Sequence, residues 1–380
     1  MIFFLFILMS VVALTLPLEA RRISAKTISE FVQEYPQTKW IKCTQNYAFN
    51  YPSFPLYREY FPDKGYHSDI SIIEVSGGVA CIDYGGHVFV NDVFFKETGI
   101  KHHSDPFYDK QYIFRDELKD VLKISGRIAI VNHIAPYVYG HWIFDILGQL
   151  ALLEINNIEY DYLWIPYEAR FTKETLDIWG IDRAKIIPLY LNAVIQADTI
   201  ILPTYIGHQD LLIHPKAFYY PDFLLKYVHD KMLSGINLVA ESDQVSEKIF
   251  ISRKGASRAA LNEDDIFALF EPLGFKRYEL GSLSVAQQIA LFHNAKTIVS
   301  FLGSNSTNVI FSRPEAHFVE IFQSMIDATF FYVSQVFGLK HSCINGTTSD
   351  DLLWSGPGTL GRQFPLHLVE NFITDHYFEL

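Results

Sequence analysis

Residues 248–280 decide the fold, with the sequence KIFISRKGASRAALNEDDIFALFEPLGFKRYEL. KIFIS (248–252) is a short apolar run typical of a buried strand, and FKRYEL (275–280) predicts a second strand. Between them Asn262 predicts the cap of a helix over 263–271. Because a strand is followed by a helix and then by another strand, the stretch indicates a parallel sheet with helices on its faces.

The same rhythm continues on both sides of this stretch. Downstream, Ser284 and Gln287 predict a capping box for a helix. The elements predicted after residue 280 are the helix 285–294, the strand 297–301, a short helix near 306–311 and the strand 317–322. Those predicted before residue 248 are strands at 127–132, 162–166, 185–190 and 199–205, helices at 140–154 and 171–180, and a long helix within 218–247.

This pattern predicts an α/β protein with two Rossmann-like domains facing a cleft and a small β-rich N-terminal region. Ligands of such sheets bind outside the carboxyl ends of the strands. The predicted divisions are a signal peptide or membrane anchor (1–20), a β-rich leading region (23–120), an N-terminal acceptor-side domain (121–240), a C-terminal nucleotide-binding domain (247–345) and a tail (346–380) that packs back on the N-terminal domain.

Composition excludes several classes of protein. The chain has 380 residues, of which 49% are hydrophobic and 19% charged, so it can build large cores. Its formal charge of −12 argues against binding to a nucleic-acid backbone. Three cysteines make no disulfide framework. The adjacent pair His102 and His103 does not have metal-ligand spacing on a helix, and a solvated loop is the simpler interpretation.

The N-terminus suggests entry into the secretory pathway. Residues 2–18 form one apolar run, followed by Arg21 and Arg22. The length suits a signal peptide or a short membrane anchor, so we expect the protein in the ER or Golgi lumen, anchored or cleaved. A buried N-terminal strand or helix is the alternative.

Two arginines follow the first strand of the second half. Arg253 and Arg258 bracket a flexible KGAS segment, and Asn262 follows at the start of a helix. Guanidinium groups match phosphate oxygens, and a helix N-terminus adds N–H donors. The segment therefore predicts a diphosphate site, with a solvated basic loop as the alternative.

A second candidate loop follows the strand 297–301. Gly303 permits a close backbone approach, and Ser304 and Asn308 supply polar groups for a phosphate or a sugar hydroxyl, although such residues also serve simply as helix caps. Glu320, on the next strand, is either a partner for ribose hydroxyls at the strand end or an acid paired locally in the core.

The apolar helix 140–154 carries His141 and Asp145, four residues apart and so on one face. If this face meets the cleft, either residue is a candidate general base, with Asp145 able to orient His141. The alternative is a buried pair that satisfies itself in the core. No Walker loop, G-x-G-x-x-G or G-x-S-x-G motif is present, which disfavours dinucleotide dehydrogenases and serine hydrolases.

Together these motifs resemble glycosyltransferase family 61. The resemblance covers roughly residues 125–325 and rests on several motifs in one order. The segments that carry it are the H-W-x-x-x-D of YGHWIFDILGQLALLE, the S-R…R…N-E run from Ser252, the Q-I…L-F…A helix, the loop ending in N-x-x-F and the final V-x-E strand.

The resemblance implies a GT-B-like fold and an inverting transferase that uses a nucleotide-sugar, here a UDP-sugar carrying GlcNAc or a pentose, without metal or other cofactor. It places Arg253, Arg258 and Asn262 on the donor run, and the acceptor would be a hydroxyl of a protein or glycan. The family's His before Gly303 and an Arg of its P-R-L triplet are replaced by Leu302 and Gln149. A catalytically inactive carbohydrate- or nucleotide-binding relative is therefore the alternative.

Overall fold

The computed structural model describes residues 22–44, 48–56, 64–66, 69–82, 87–98, 112–113, 121–190, 193–209, 218–238, 245–347 and 361–377. The predicted N-terminal signal or anchor and the His102–His103 pair lie outside these residues. Within the described part of the chain, no helix combines the length and the apolar character that a membrane crossing requires.

The first part of the chain is built mainly from strands. They are β1 (Arg22–Lys26), β2 (Lys39–Thr44), β3 (Ala48–Asn50), β4 (Lys64–Tyr66), β5 (Ile70–Ser76), β6 (Val79–Ile82), β7 (Val88–Val90), β8 (Val93–Phe95), β9 (Tyr112–Ile113), β10 (Val121–Ile130), β11 (Tyr162–Ile165), β12 (Ile186–Pro188), β13 (Val194–Pro203), β14 (His208–Gln209) and β15 (Phe218–Tyr219). The helices are α1 (Ile28–Glu34), α2 (Tyr139–His141), a π-helix (Trp142–Ile146), α3 (Leu147–Ile155), α4 (Arg170–Trp179), α5 (Asp222–Ser234) and 3₁₀ turns at Lys96–Thr98 and Arg183–Lys185.

The second part repeats strand and helix. Its strands are β16 (Lys248–Ile251), β17 (Lys276–Tyr278), β18 (Thr297–Phe301), β19 (His317–Phe322) and β20 (Lys340–Asn345). Its helices are α6 (Glu263–Phe270), α7 (Val285–Asn294), a 3₁₀ helix (Ser304–Phe311), α8 (Thr329–Phe337), α9 (Leu366–His376) and 3₁₀ turns at Glu271–Leu273 and Leu280–Ser282.

Two sheets carry the structure, and the predicted α/β class is confirmed. In the larger sheet the parallel strands lie in the order β12-β11-β10-β13. The smaller sheet is parallel throughout, in the order β17-β16-β18-β19-β20, which is the order of a doubly wound sheet. In both sheets the connections change direction at one point, between β10 and β13 and between β16 and β18.

The strands of the leading region extend the larger sheet. β5 and β6 run one after the other along β13, both antiparallel to it. The Gly-Gly turn therefore interrupts a single edge of pairing, because β5 before it and β6 after it both pair with β13. Gly77 has a φ of +64°, and a Cβ on Gly78 would lie 2.8 Å from Cγ1 of Ile200. Glycine is required here because the turn packs directly on the neighbouring strand.

Local signals predicted several boundaries correctly. α4 ends on Gly180, which has a φ of +86° and donates its N–H to the carbonyl of Leu176. The capping box of Ser284 is present. The helix predicted within 218–247 is shorter, because α5 ends at Ser234 and the next residue, Gly235, packs its backbone against the carbonyl of Ile178.

The described part of the C-terminal tail packs on the smaller sheet, so the prediction that it packs back on the N-terminal domain is wrong. Phe364, Val369 and Phe372 are buried in one cluster with Phe250 of β16 and Ile266 of α6. The apolar face of α9 packs beside α6 on the same face of the sheet and joins the cluster that the two helices share. The other domain boundaries remain predictions.

Candidate active site

The two candidate loops of the second half lie where the smaller sheet changes direction. Residues 252–262 follow β16, and residues 302–311 follow β18, its neighbour in the sheet. Because the strands are parallel, both loops leave the same edge and diverge there. Both loops thus lie at the carboxyl ends of their strands, where the sequence predicted that a ligand binds.

Arg253 lies directly over Gly303. A Cβ on Gly303 would stand 1.8 Å from Nη1 of Arg253, so only glycine admits the guanidinium at this distance. Nε of Arg253 donates a 2.9 Å hydrogen bond to the carbonyl of Ser257. Glu263 accepts the backbone N–H of Arg253 at 2.8 Å and the hydroxyl of Ser252 at 2.6 Å. The arginine is thus held in place before any ligand arrives.

Arg258 is half-buried and adopts a left-handed backbone conformation with a φ of +63°. Its Nη1 contacts the sulfur of Met325 at 2.7 Å, and the side chain lines a small surface depression beside Leu302 and Gln323. Burial lowers the pKa of Arg258. Burial, followed by the charge of Arg258, lowers the pKa of Arg253 to about 10.

Neither guanidinium has a carboxylate within 4.0 Å among the described residues. In contrast, Arg127, Arg170, Arg183 and Arg277 each pair with an acid. The charges of Glu263 and Asp327 act on Arg253 and Arg258 without direct contact. Placing two neighbouring cations in a partly buried position without a direct ion pair is unfavourable. The arrangement at Arg253 and Arg258 is therefore that of an anion site.

His141 and Asp145 meet as predicted. Nδ1 of His141 lies 2.9 Å from Oδ2 of Asp145. Asp145 has no exposed surface, whereas the side chain of His141 is 24% exposed. The residues from Trp142 to Ile146 form a π-helix, a feature frequent at functional sites. Asp145 thus lies in the core, whereas His141 reaches solvent, so each of the two sequence alternatives describes one residue of the pair.

Three further side chains surround the Asp145 carboxylate. Tyr220 donates its hydroxyl to Oδ2 at 3.2 Å. His133 brings Nε2 to 3.8 Å from the same oxygen and stacks on His141 with ring centres 4.2 Å apart. Burial and the Asp145 charge raise the pKa of Tyr205 and of Tyr220 well above the usual value. Both phenols therefore stay protonated beside the carboxylate.

The hydrogen bonds assign the histidine tautomers. Nδ1 of His133 accepts the backbone N–H of Ala135 at 3.0 Å, so its proton is on Nε2. Nδ1 of His141 faces a carboxylate and so carries the proton it donates. Nε2 of His141 is then the ring nitrogen with an available lone pair. Of the two stacked imidazoles, only that of His141 reaches solvent.

The helix of His141 sits on the 302–311 loop. Tyr139 donates its hydroxyl to Oδ1 of Asn308 at 2.8 Å. A Cβ on Gly140 would lie 3.1 Å from the Thr307 hydroxyl and 3.9 Å from that of Ser304. Both halves of the chain thus contribute to one site, with Ser304 partly exposed between them.

Three residues that the sequence placed in the donor site, Asn308, Glu320 and Asn262, bond to other parts of the chain instead. Asn308 is fully buried and, besides Tyr139, bonds to Gln288 at 3.1 Å, so it joins the two halves and does not face a ligand. Glu320 is fully buried beside His341, 3.1 Å away, so the local-pairing alternative is correct and the ribose contact is wrong.

Asn262 holds the C-terminal tail. Its amide accepts the N–H of Phe364 at 2.7 Å and donates to the carbonyl of Phe364 at 3.0 Å, and it makes no side-chain cap to α6. Both functional ends of the amide are occupied, so the predicted phosphate contact of this side chain is wrong.

The two departures from the expected motif have structural roles. Gln149 is buried and bonds to the backbone of Asn132 twice, through Oε1 to the N–H at 3.3 Å and through Nε2 to the carbonyl at 3.1 Å. It thereby fixes the segment that carries His133. Leu302 is buried in the core beside the Arg258 depression.

His133, His141 and Asp145 are also a possible ligand set for a metal ion, since one ligand atom from each lies within 4.8 Å of the others. Nδ1 of His133 accepts the N–H of Ala135, so Nε2, 3.8 Å from Oδ2 of Asp145, is the atom that this ring would offer to a metal ion. The same contacts also suit proton sharing around the carboxylate.

Sequence reasoning missed His133, Tyr205 and Tyr220. His133 and Tyr205 follow β10 and β13, the neighbouring strands at which the larger sheet changes direction. The rule that ligands bind beyond the carboxyl ends of strands identifies both positions once the strand order is known.

A family model described as Glycosyltransferase 61 matches residues 139–319. The match begins two residues before His141 and includes Asp145, both arginines and the Gly303 loop. The region that holds the site belongs to glycosyltransferase family 61. A search of curated proteins gave no match. As a glycosyltransferase, the protein uses a sugar donor and an acceptor.

Proposed function

We propose that this family 61 glycosyltransferase is an inverting enzyme that transfers GlcNAc or a pentose from a UDP-sugar to a hydroxyl of a protein or glycan, without a metal ion. The observation that carries the proposal is the pair of neighbouring arginines, one buried and one half-buried, that form no direct ion pair among the described residues. Such a pair matches the two negative charges of a nucleoside diphosphate.

The leaving group determines how the donor is held. As the bond to the sugar breaks, negative charge develops on the diphosphate, and Arg253 and Arg258 stabilise it electrostatically. Ser304 and the first N–H groups of the 3₁₀ helix lie beside Arg253, across Gly303, and add hydrogen-bond donors. Two fixed cations supply the charge that a bound metal supplies in other transferases.

His141 is the proposed general base. Inversion needs one displacement, in which the acceptor oxygen attacks the sugar carbon opposite the diphosphate. Nε2 of His141 removes the acceptor proton, and the Asp145 carboxylate, 2.9 Å from Nδ1, stabilises the imidazolium that forms. Asp145 itself is buried with Oδ2 occupied, so it orients the base and is not the base.

The proposal includes a GT-B-like arrangement, in which His141 comes from the half with the larger sheet and the arginines from the half with the smaller one. It also includes action in the ER or Golgi lumen, after entry through the apolar segment 2–18 and with membrane anchoring if that segment is retained. Family 61 enzymes generally act in the secretory pathway.

A second candidate is a binding protein without turnover. It is favoured by Leu302 and Gln149, which replace a histidine and an arginine of the family pattern. Binding of a UDP-sugar with no release of UDP, to any acceptor or to water, is the result expected of such a protein.

Replacement of Arg258 by alanine tests the donor site. A panel of UDP-sugars is assayed for UDP release and for binding by calorimetry, with EDTA present throughout. We expect Arg258→Ala to lose at least a hundredfold in kcat/KM, consistent with the removal of one charge-assisted contact of about 3 kcal/mol. Arg313→Ala, which removes an exposed arginine bonded to Asn294, is the matched control and should keep full activity. Full activity in Arg258→Ala would overturn the donor assignment.

A further inference from the structure

Exposed apolar side chains concentrate at one edge of the larger sheet. Among the described residues, seven large apolar side chains are exposed, and four of them lie in segments that leave this edge. These four are Ile134, Tyr137, Val138 and Tyr190, and the other three are Ile155, Leu261 and Tyr377. Clustered exposed apolar groups mark binding surfaces more often than scattered ones do.

Strand order explains why the tyrosines are neighbours. Tyr137 follows β10, Glu168 follows β11 and Tyr190 follows β12. These strands are parallel and adjacent in the order β12-β11-β10. The ends of β10 and β12 therefore lie two strand spacings apart at the same edge, roughly 10 Å. Tyr137 and Tyr190 lie in the segments that leave these two strand ends.

Glu168 completes the group. Burial, then the charge of Glu168 and the neighbouring phenol of Tyr190, raise the pKa of Tyr137, so the three side chains lie within electrostatic reach of one another. Glu168 is exposed, and it forms no ion pair with the described residues. The surface thus consists of two phenol rings, 44% and 55% exposed, with the exposed carboxylate of Glu168, which forms no ion pair with the described residues, between them.

We propose that Tyr137, Glu168 and Tyr190 form an acceptor subsite that binds a neutral carbohydrate chain. The inference rests on the proposed function. A pyranose ring has a face of C–H groups that packs on a phenol ring, and hydroxyls around its edge that donate to a carboxylate. A spacing of roughly 10 Å suits two sugar units of one chain. A peptide gains less from this pattern, because an exposed carboxylate repels acidic side chains and an extended backbone has no such flat apolar face.

The subsite leads to the proposed base. Val138 is the N-cap of the short helix that contains His141, so His141 lies in the first turn after it, with its side chain partly exposed to solvent. A glycan that rests on Tyr137 therefore has its end close to the imidazole. Its terminal hydroxyl is then the group that loses the proton.

The test uses Tyr137→Ala, Tyr190→Ala and the double variant of the full chain. Tyr377→Ala is the matched control, because Tyr377 is equally exposed, at 57%, but follows α9 on the far half of the chain. The probes are neutral xylo-, cello- and chito-oligosaccharides and a Ser/Thr-containing peptide. Binding is measured by saturation-transfer NMR, and turnover by sugar transfer and by hydrolysis of the UDP-sugar.

We expect an oligosaccharide to bind the wild type, and the double variant to lose at least tenfold in its binding or acceptor KM. Donor hydrolysis and donor affinity stay unchanged, as does every property of Tyr377→Ala. The inference is overturned if no oligosaccharide binds the wild type, if only the peptide binds, or if the double variant binds as the wild type does. A wild type that binds sugar but releases no UDP overturns the proposed function alone.

Discussion

Replacement of Asp145 by asparagine removes the charge behind the proposed base with little change in shape. Oδ2 accepts from His141 at 2.9 Å and from Tyr220 at 3.2 Å, whereas Oδ1 has no hydrogen-bond partner among the described residues. An asparagine can therefore keep its oxygen at the Oδ2 position and put its amide nitrogen where nothing is bonded. The variant tests the charge and not the contact.

The expected loss follows from Coulomb's law. Two unit charges about 4 Å apart interact by about 4 kcal/mol at an effective dielectric constant of about 20. Each 1.36 kcal/mol of barrier corresponds to a factor of about ten in rate. Because the proton is only partly transferred at the transition state, we expect kcat to fall by about 10² to 10³.

The assay is UDP release at saturating donor and acceptor, together with donor affinity by calorimetry. Donor affinity should not change, because the diphosphate site is on the other half of the chain. Tyr220→Phe is the control, since it removes a neutral donor to the same oxygen and should cost about fivefold or less. If Asp145→Asn kept kcat within tenfold of the wild type, the imidazolium argument would be refuted.

Three further variants test the rest of the account. Gly303→Ala puts a methyl group 1.8 Å from Nη1 of Arg253, and steady-state kinetics should show the donor KM raised at least tenfold. Asn262→Ala removes both bonds to the tail, and denaturant unfolding should show a loss of about 2 kcal/mol. Glu320→Gln should become more stable relative to the wild type as pH rises, by up to about 1.4 kcal/mol per unit above about pH 4.5. Unfolding measured between about pH 5 and 7 checks this, and parallel curves for the two proteins would contradict it.

The sign of the pH effect comes from the buried pair in β19 and β20. Burial raises the pKa of Glu320 well above 4.5 and lowers that of His341 to about 3, so the folded pair keeps a proton on the carboxyl. The unfolded glutamate loses its proton above pH 4.5, so folding takes up a proton there and the native state loses stability as pH rises. Glutamine has no proton to take up.

Gly281→Ala is the control for the Gly303 variant, because it adds the same methyl group at a position where no atom is in its way. A Cβ on Gly281 would meet no atom within 4 Å, and its φ is not positive. Gly281→Ala should therefore leave the donor KM unchanged. An equal effect in both variants would show that the Gly303 result does not come from Arg253.

Local signals in the sequence were sufficient for most elements between residues 248 and 322, whereas α8, β20 and α9 were not predicted. The capping box at Ser284 and the short apolar run of β19 are properties of a few neighbouring residues, and the structure has both. The i,i+4 spacing also brought His141 and Asp145 together correctly. These predictions succeeded because the interactions involved lie within one turn or one strand.

Features that depend on distant pairing were not predictable in this way. The surroundings of Asp145 come from positions 133 and 205, which meet because β10 and β13 are neighbours in the sheet, and from position 220, which follows β15. Asn262 looks like a helix cap in sequence, but its amide bonds to Phe364, 102 residues away. Polar residues on a loop have the same appearance in sequence whether they face a ligand or another segment of the chain.

The most direct test of the central claim compares UDP release by the wild type and by His141→Ala in EDTA, across a panel of UDP-sugars, with binding measured in parallel. The account predicts that one UDP-sugar is turned over by the wild type without added metal, and that His141→Ala binds it equally well but releases no UDP. Release that requires a divalent cation, or equal release by the two proteins, would contradict metal-independent transfer with His141 as the base.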